Sequence, residues 1–171
     1  MLIRHLGLAL LLSGPVSSSR AQDVPRTTNP LYTNMLNDLL KQTVPFVSVA
    51  ELHAEGPTVL LDARAPREFA VSHLPGARWV GFEQFDLVRV QDLPRNTPIV
   101  VYCSVGYRSE KVGEQLQRAG YTHVRNLYGG LFEWLNEGFL PVTTRDQPTT
   151  RVHAYSRSWG AWLRRGQKVY D

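Results

Sequence analysis

The stretch from Thr97 to Gly120, TPIVVYCSVGYRSEKVGEQLQRAG, decides how this chain is read. It opens on an apolar β-branched run, Ile99-Val100-Val101-Tyr102, the pattern of a strand buried on both faces of a parallel sheet. The run ends at Cys103, the only cysteine in the protein. A short loop, Ser104-Val105-Gly106-Tyr107-Arg108, leads into a helical pattern with Val112, Leu116 and Ala119 on one face. Gly120 stands where a helix ends in a left-handed residue. The thiol is therefore expected between the carboxyl end of a strand and the amino end of a helix.

That place has chemical consequences. Ligands of open α/β sheets bind beyond the carboxyl ends of the strands. The unpaired amides and positive dipole of the following helix favour an anion there. The same field, with Arg108, is expected to lower the thiol pKa and favour the nucleophilic thiolate. Gly106 can adopt backbone angles that turn successive amides inward into an anion nest. A free cysteine is often only a small buried hydrophobe. A core cysteine, however, has no use for a glycine and an arginine at these spacings, and the pattern favours a functional thiol.

These residues resemble the rhodanese (thiosulfate sulfurtransferase-like) family. Leu60-Leu61-Asp62-Ala63-Arg64 is similar to the family's strand ending in Asp-x-Arg. Arg67-Glu68-Phe69 and His73-Leu74-Pro75-Gly76-Ala77 resemble its next signatures, in order. Asn126-Leu127-Tyr128-Gly129-Gly130, followed by Trp134, resembles its closing motif. The resemblance covers about residues 44 to 142. It implies a three-layer α/β fold with an approximately five-stranded parallel sheet and helices on both faces.

The implied chemistry is sulfur transfer. Cys103 would attack the outer sulfur of thiosulfate or a persulfide donor and pass that sulfur to a thiol or cyanide. Cys103 and Arg108 are the expected catalytic residues. Ser104, Val105, Gly106, Tyr107 and Arg64 are the expected substrate contacts, Arg64 being more readily read as an ion-pair partner. Asp62, Glu68 and His73 are expected as structural support, His73 fixing its turn; in the family this histidine is not the nucleophile's partner. No metal or organic cofactor is called for.

Two other readings are open. Cysteine phosphatases and arsenate reductases use a related cradle, but with one residue more between cysteine and arginine than Ser104–Tyr107 supplies. A loop this short is expected to be too tight for phosphate. A sulfur carrier or redox-sensing module is the alternative from another class, in which the sulfur is held without fast turnover.

Outward from the loop, Leu6–Leu12 is a short apolar run behind Arg4 and His5, followed by small residues up to Ser19-Arg20-Ala21. This is the layout of a secretory signal peptide over residues 1–21, cleaved after Ala21, and implies export, with the bacterial periplasm as the expected compartment. The run is too short for a permanent membrane span. Removing it takes away Arg4 and Arg20 and no acids, leaving a small net charge that argues against nucleic acid as a partner. One cysteine excludes an internal disulfide.

Residues 22–30 read as a polar linker, and Leu31, Met35, Leu36, Leu39 and Leu40 as the inner face of an amphipathic helix, so that 22–43 precedes the domain at 44–142. Val44–Val47 reads as an edge strand, Ser48 to Glu51 as a capping box, Thr58–Leu61 as a buried strand, and Arg78–Val80 as a third. In the connection 81–98, Phe82, Phe85, Leu87 and Val88 are expected to tuck inward. His123–Leu127 is the fifth strand, and Leu131–Glu137 a helix burying Phe132 or Trp134. Such alternation of strands and helices argues for a parallel sheet covered on both faces. The basic tail 143–171 carries Trp159 and Trp162, expected to pack on the domain. A protein partner or an anionic membrane surface is the other use of such a tail.

Overall fold

A computed structural model describes residues 24–171; the expected signal peptide lies outside the described residues. Six helices and seven strands follow one another along the described chain, and five of the strands form one parallel sheet in the order β1-β5-β4-β2-β3. These are β1 Phe46–Val47, β2 Val59–Asp62, β3 Arg78–Trp79, β4 Ile99–Tyr102 and β5 Val124–Leu127. The apolar run takes the centre as β4, with Val101 set between Leu61 of β2 and Asn126 of β5.

Side chains of a strand alternate between faces, and β4 divides its residues between two cores accordingly. Val100 and Tyr102 join a cluster with Leu127, Leu131 and Phe132. Ile99, Val101 and Cys103 join another with Leu61, Val112 and Leu116. Helix α4, Tyr107–Arg118, covers the second face through Val112 and Leu116. Helices α1, Pro30–Leu39, and α5, Gly130–Asn136, cover the first.

Local chemistry sets the element ends. Ser48 and Glu51 form the expected reciprocal cap on α2, Val49–Ala54. Helix α3, Pro66–Val71, starts with proline in its first turn, and the Glu68 carboxylate accepts the Ala65 amide at 2.9 Å.

Three expectations are corrected. In α1 the inward residue is Tyr32, not Leu31, which is 68% exposed; asparagine caps the helix at Asn29 and places Pro30 and Leu31 in its outer first turn. In the 81–98 connection, Leu87 and Val88 are exposed because a 3₁₀ turn over Leu87–Val90 sends Val90 inward in their place. Phe82 and Phe85 pack on the core as expected. The segment before α1 is no free linker, since the Thr28 amide donates to the Glu133 carboxylate.

The tail folds as β6, Arg151–His153, a short α6, Arg157–Gly160, and β7, Gln167–Val169, with β6 and β7 paired in parallel. Val152, Ala154 and Leu163 are buried in the first core, and Trp162 stacks on Tyr32 with ring centroids 5.4 Å apart. Packing of the tryptophans, the first expectation for this segment, is what the structure shows.

Candidate active site

Cys103 leaves the end of β4 and its sulfur lies over the amino end of α4. The Gly106 amide donates to Cys103 Sγ at 3.1 Å. Gly106 has φ +121°, the left-handed side that favours glycine, and this turns its amide back to the sulfur. The thiol is only 1% exposed but opens onto a cleft of about 720 Å³.

The loop is held from behind by groups that sequence reasoning did not assign. The amides of Leu131 and Phe132, at the start of α5, donate to the carbonyls of Cys103 and Ser104 at 2.9 and 3.0 Å. Gly130 makes this approach possible, because a Cβ there would stand 2.4 Å from the Cys103 carbonyl oxygen. Asn126 Nδ2 donates to the Gly106 carbonyl at 2.9 Å, and its Oδ1 lies 2.7 Å from the Ser109 hydroxyl. Tyr32 donates its hydroxyl to the Gly129 carbonyl at 2.8 Å. Asn126 and Gly130 belong to the closing motif quoted above, and Ser109 ends the Cys-x-x-Gly-x-Arg-Ser spacing of the loop, although the sequence assigns none of the three a role.

Burial pushes the Cys103 thiol pKa up, but the Arg108 charge, the Ser109 hydroxyl and the amides of Ser109 and Gly106 outweigh it, and the net displacement is downward. Arg108 acts without touching the sulfur. Its Nη1 and Nη2 donate to Glu68 Oε2 and Oε1 at 2.6 and 2.8 Å, and Nη2 also reaches Ser104 Oγ at 3.1 Å. Burial alone would raise the Glu68 pKa; the hydrogen bonds and charge of Arg108, with Arg64 and the Ala65 amide, bring it down to about 2.

Arg64 is wholly buried, contrary to its assignment as a substrate contact. Its Nη2 donates to Asp62 Oδ2 and to the Ser72 carbonyl, both at 2.6 Å. The ion pair fixes the guanidinium to the loop after β2, while Nη1 has no hydrogen-bond partner among the described residues and the residue borders the cleft. Ser104 and Val105 are buried beside the thiol, and Tyr107 stands exposed at the rim. His73 lies away from the thiol: its Nδ1 is 3.2 Å from the Phe69 carbonyl, and its backbone pairs with Val142. This is the turn-fixing part expected of it. Among the described residues no group of His, Cys, Asp and Glu is arranged to hold a metal ion.

The cleft itself is walled by α3, by Trp79 and Phe82, and by Tyr155 and Trp159 of the tail. The tail's contribution was not foreseen, because nothing in its sequence ties it to the loop at 103–108.

Comparison with known proteins agrees with this geometry. Residues 47–137 match the family described as "Rhodanese-like domain". A curated sulfurtransferase of Allochromatium vinosum is 33% identical over 84 residues, which cover 49% of this chain and 77% of that protein. Of the other curated relatives the aligned part of the chain spans between 20% and 59% of their own length. A rhodanese-like domain of an Anabaena protein aligns with TM-score 0.54 at 24% identity, covering 58% of this chain and 79% of that one, a likeness of fold. A thiosulfate sulfurtransferase of Pseudomonas aeruginosa aligns with TM-score 0.54 at 25% identity, covering 72% of this chain and 24% of that one. The chain belongs to the rhodanese-like domain family.

Proposed function

We propose that this protein is an exported sulfurtransferase that carries sulfane sulfur on Cys103. The single observation that carries the reading is the sulfur itself: it accepts the Gly106 amide at 3.1 Å and faces an open cleft. The likeness to proteins described as sulfurtransferases supports the same chemistry.

The steps need no redox partner. The thiolate attacks the outer sulfur of thiosulfate, the S–S bond breaks, sulfite leaves with the electron pair, and Cys103 becomes a persulfide anion. With a persulfide donor the leaving group is the donor's thiolate. Cyanide or an acceptor thiolate then attacks the outer sulfur, and Cys103 returns to the thiolate. The inward amides of the loop hold the anionic sulfur throughout, while Arg108, fixed by Glu68, lowers the cost of the charge from the side. Phosphate is disfavoured: four residues separate Cys103 from Arg108, and the guanidinium is already held by Glu68.

Thiocyanate formation from thiosulfate and cyanide tests the reading. Turnover lost in Cys103→Ser supports it; a persulfide that forms on the wild type and is never passed on would make the protein a carrier instead. Amino-terminal sequencing of protein recovered from a periplasmic extract tests export, with a new terminus after Ala21 expected.

A further inference from the structure

We propose that Leu40 and Glu110 are positioning residues for sulfur transfer: Glu110 fixes the turn after α1, and that turn holds Leu40 against Gly106, whose amide meets the sulfur. The proposal rests on the sulfur-transfer reading above. It makes a segment outside the family's domain part of the loop's support, since residues 40–43 precede the match at 47–137.

Glu110 is fully buried in the first turn of α4, and no cation pairs with it among the described residues. Its Oε2 and Oε1 instead accept the amides of Lys41 and Thr43, each at 3.1 Å. Between them Gln42 holds φ +56°, which a residue other than glycine keeps only where its surroundings over-determine it. Amides on either side of such a residue converge on an anion, as in a nest, and here α4 supplies the anion. Thr43 Oγ1 also donates to Glu114 Oε1 at 2.6 Å, and Val44 lies against Gly113, so the turn is seated along α4.

Leu40 closes α1 just before that turn, its amide on the Leu36 carbonyl at 2.8 Å, and its side chain is buried behind the loop. A Cβ on Gly106 would stand 3.3 and 3.6 Å from Leu40 Cδ1 and Cδ2. The Gly106 carbonyl is held separately, by Ser109 Oγ and the Glu110 amide, both at 3.1 Å, and by Asn126 Nδ2 at 2.9 Å. Those bonds fix the peptide that follows the Gly106 Cα. The amide on Cys103 Sγ belongs to the peptide before it, and between the two lies a dihedral that glycine leaves loose. The Leu40 methyls fill the space beside the Cα and hold that dihedral at +121°.

Alkylation of Cys103 by iodoacetamide, followed against pH in the full chain, tests the proposal. Leu40→Ala and Glu110→Asp leave the net charge as it is and do not touch Arg108, Glu68 or Ser109, so a change in the thiol pKa must come through the loop backbone. Glu110→Asp keeps the carboxylate and shortens its reach. Both variants should raise the pKa by about 0.5–1 unit, through a weakened hydrogen bond to the thiolate, and slow thiocyanate formation from thiosulfate. Leu40→Met, which keeps the reach and nearly the volume, should restore both. Leu36→Ala is the control: Leu36 is equally buried in the same helix, and its loss should lower the unfolding midpoint and leave the thiol unmoved. Where an alanine variant fails to fold, valine at the same position, one carbon shorter than leucine, replaces it. A pKa unmoved in the folded Leu40 variant, or raised as much in the Leu36 control, overturns the part of Leu40; one unmoved in folded Glu110→Asp overturns that of Glu110. Either result leaves sulfur transfer standing. A wild type that takes up no sulfur from thiosulfate or a small persulfide overturns sulfur transfer itself, whatever the alkylation profile.

Discussion

Glu68 and Arg108 meet in a two-pronged ion pair, Oε2 to Nη1 at 2.6 Å and Oε1 to Nη2 at 2.8 Å, in the first turn of the helix that follows Cys103. The carboxylate comes from α3 and the guanidinium from α4, so the pair ties the loop after β2 to the loop after β4. It also weakens the arginine's help to the thiolate, since the charge that favours the anion is itself partly neutralised.

The two ends of that pair should therefore move the thiol in opposite directions. Arg108→Ala removes the favourable charge and leaves Glu68 beside the sulfur, so the Cys103 pKa should rise by about 1–3 units. Glu68→Gln leaves Arg108 uncompensated and should lower it. Alkylation rate against pH reads both, and a shift of the same sign in both variants would show that the pair acts only as scaffold.

Acid stability follows from the same carboxylate. Its folded pKa of about 2 lies below the ordinary carboxylate range, so its contribution is present above that range and is lost as pH falls toward 2. The loss is on the order of 3 kcal/mol. Thermal unfolding of the wild type and Glu68→Gln between pH 6 and about pH 2 should show a gap that closes on acidification. A gap independent of pH would contradict the assignment.

Gly130 should be the least replaceable glycine of the site. Gly130→Ala places a Cβ 2.4 Å from the Cys103 carbonyl oxygen and 2.7 Å from that of Ser104. The loop must move, and sulfur transfer should fall by at least about tenfold, the effect of a misplaced reacting group. Gly120→Ala is the control: φ is also positive, at +92°, but nothing lies within 4 Å of the added carbon. Its cost should be about 1 kcal/mol of stability, with transfer unchanged.

How far the sequence reaches is visible in these same residues. The strand–thiol–glycine–helix order was legible because each feature is local: a β-branched run, a turn that needs positive φ, an apolar helical face. The partners were not. Glu68 and Arg108 stand forty positions apart, and only the register of β2 beside β4 brings them together. Arg64 reads as a contact from its place after β2, yet Asp62 two residues earlier captures it locally. Leu31 and Leu87 both failed for one reason: an apolar residue at a helix's first turn can lie outside the stripe that packs. The aromatic wall from the tail depended on a long excursion through β6 that no periodicity announces.

Removing the tail should unfold more than the tail. Ending the chain near Pro141 strips Val152, Ala154, Leu163 and both tail tryptophans from the first core and uncovers Tyr32. At about 1.5–3 kcal/mol for each large apolar side chain exposed, the loss approaches the whole stability of a domain this size. A truncated protein with an unchanged unfolding midpoint would contradict the packing described here.

Intact-mass measurement of the purified protein after incubation with thiosulfate or a small persulfide bears most directly on the central claim, that Cys103 is an ionised sulfur acceptor. The expected result is a gain of one sulfur atom on Cys103, removed by cyanide or a thiol reductant and absent from Cys103→Ser. No gain with either donor, or a gain that survives the loss of the cysteine, would contradict it.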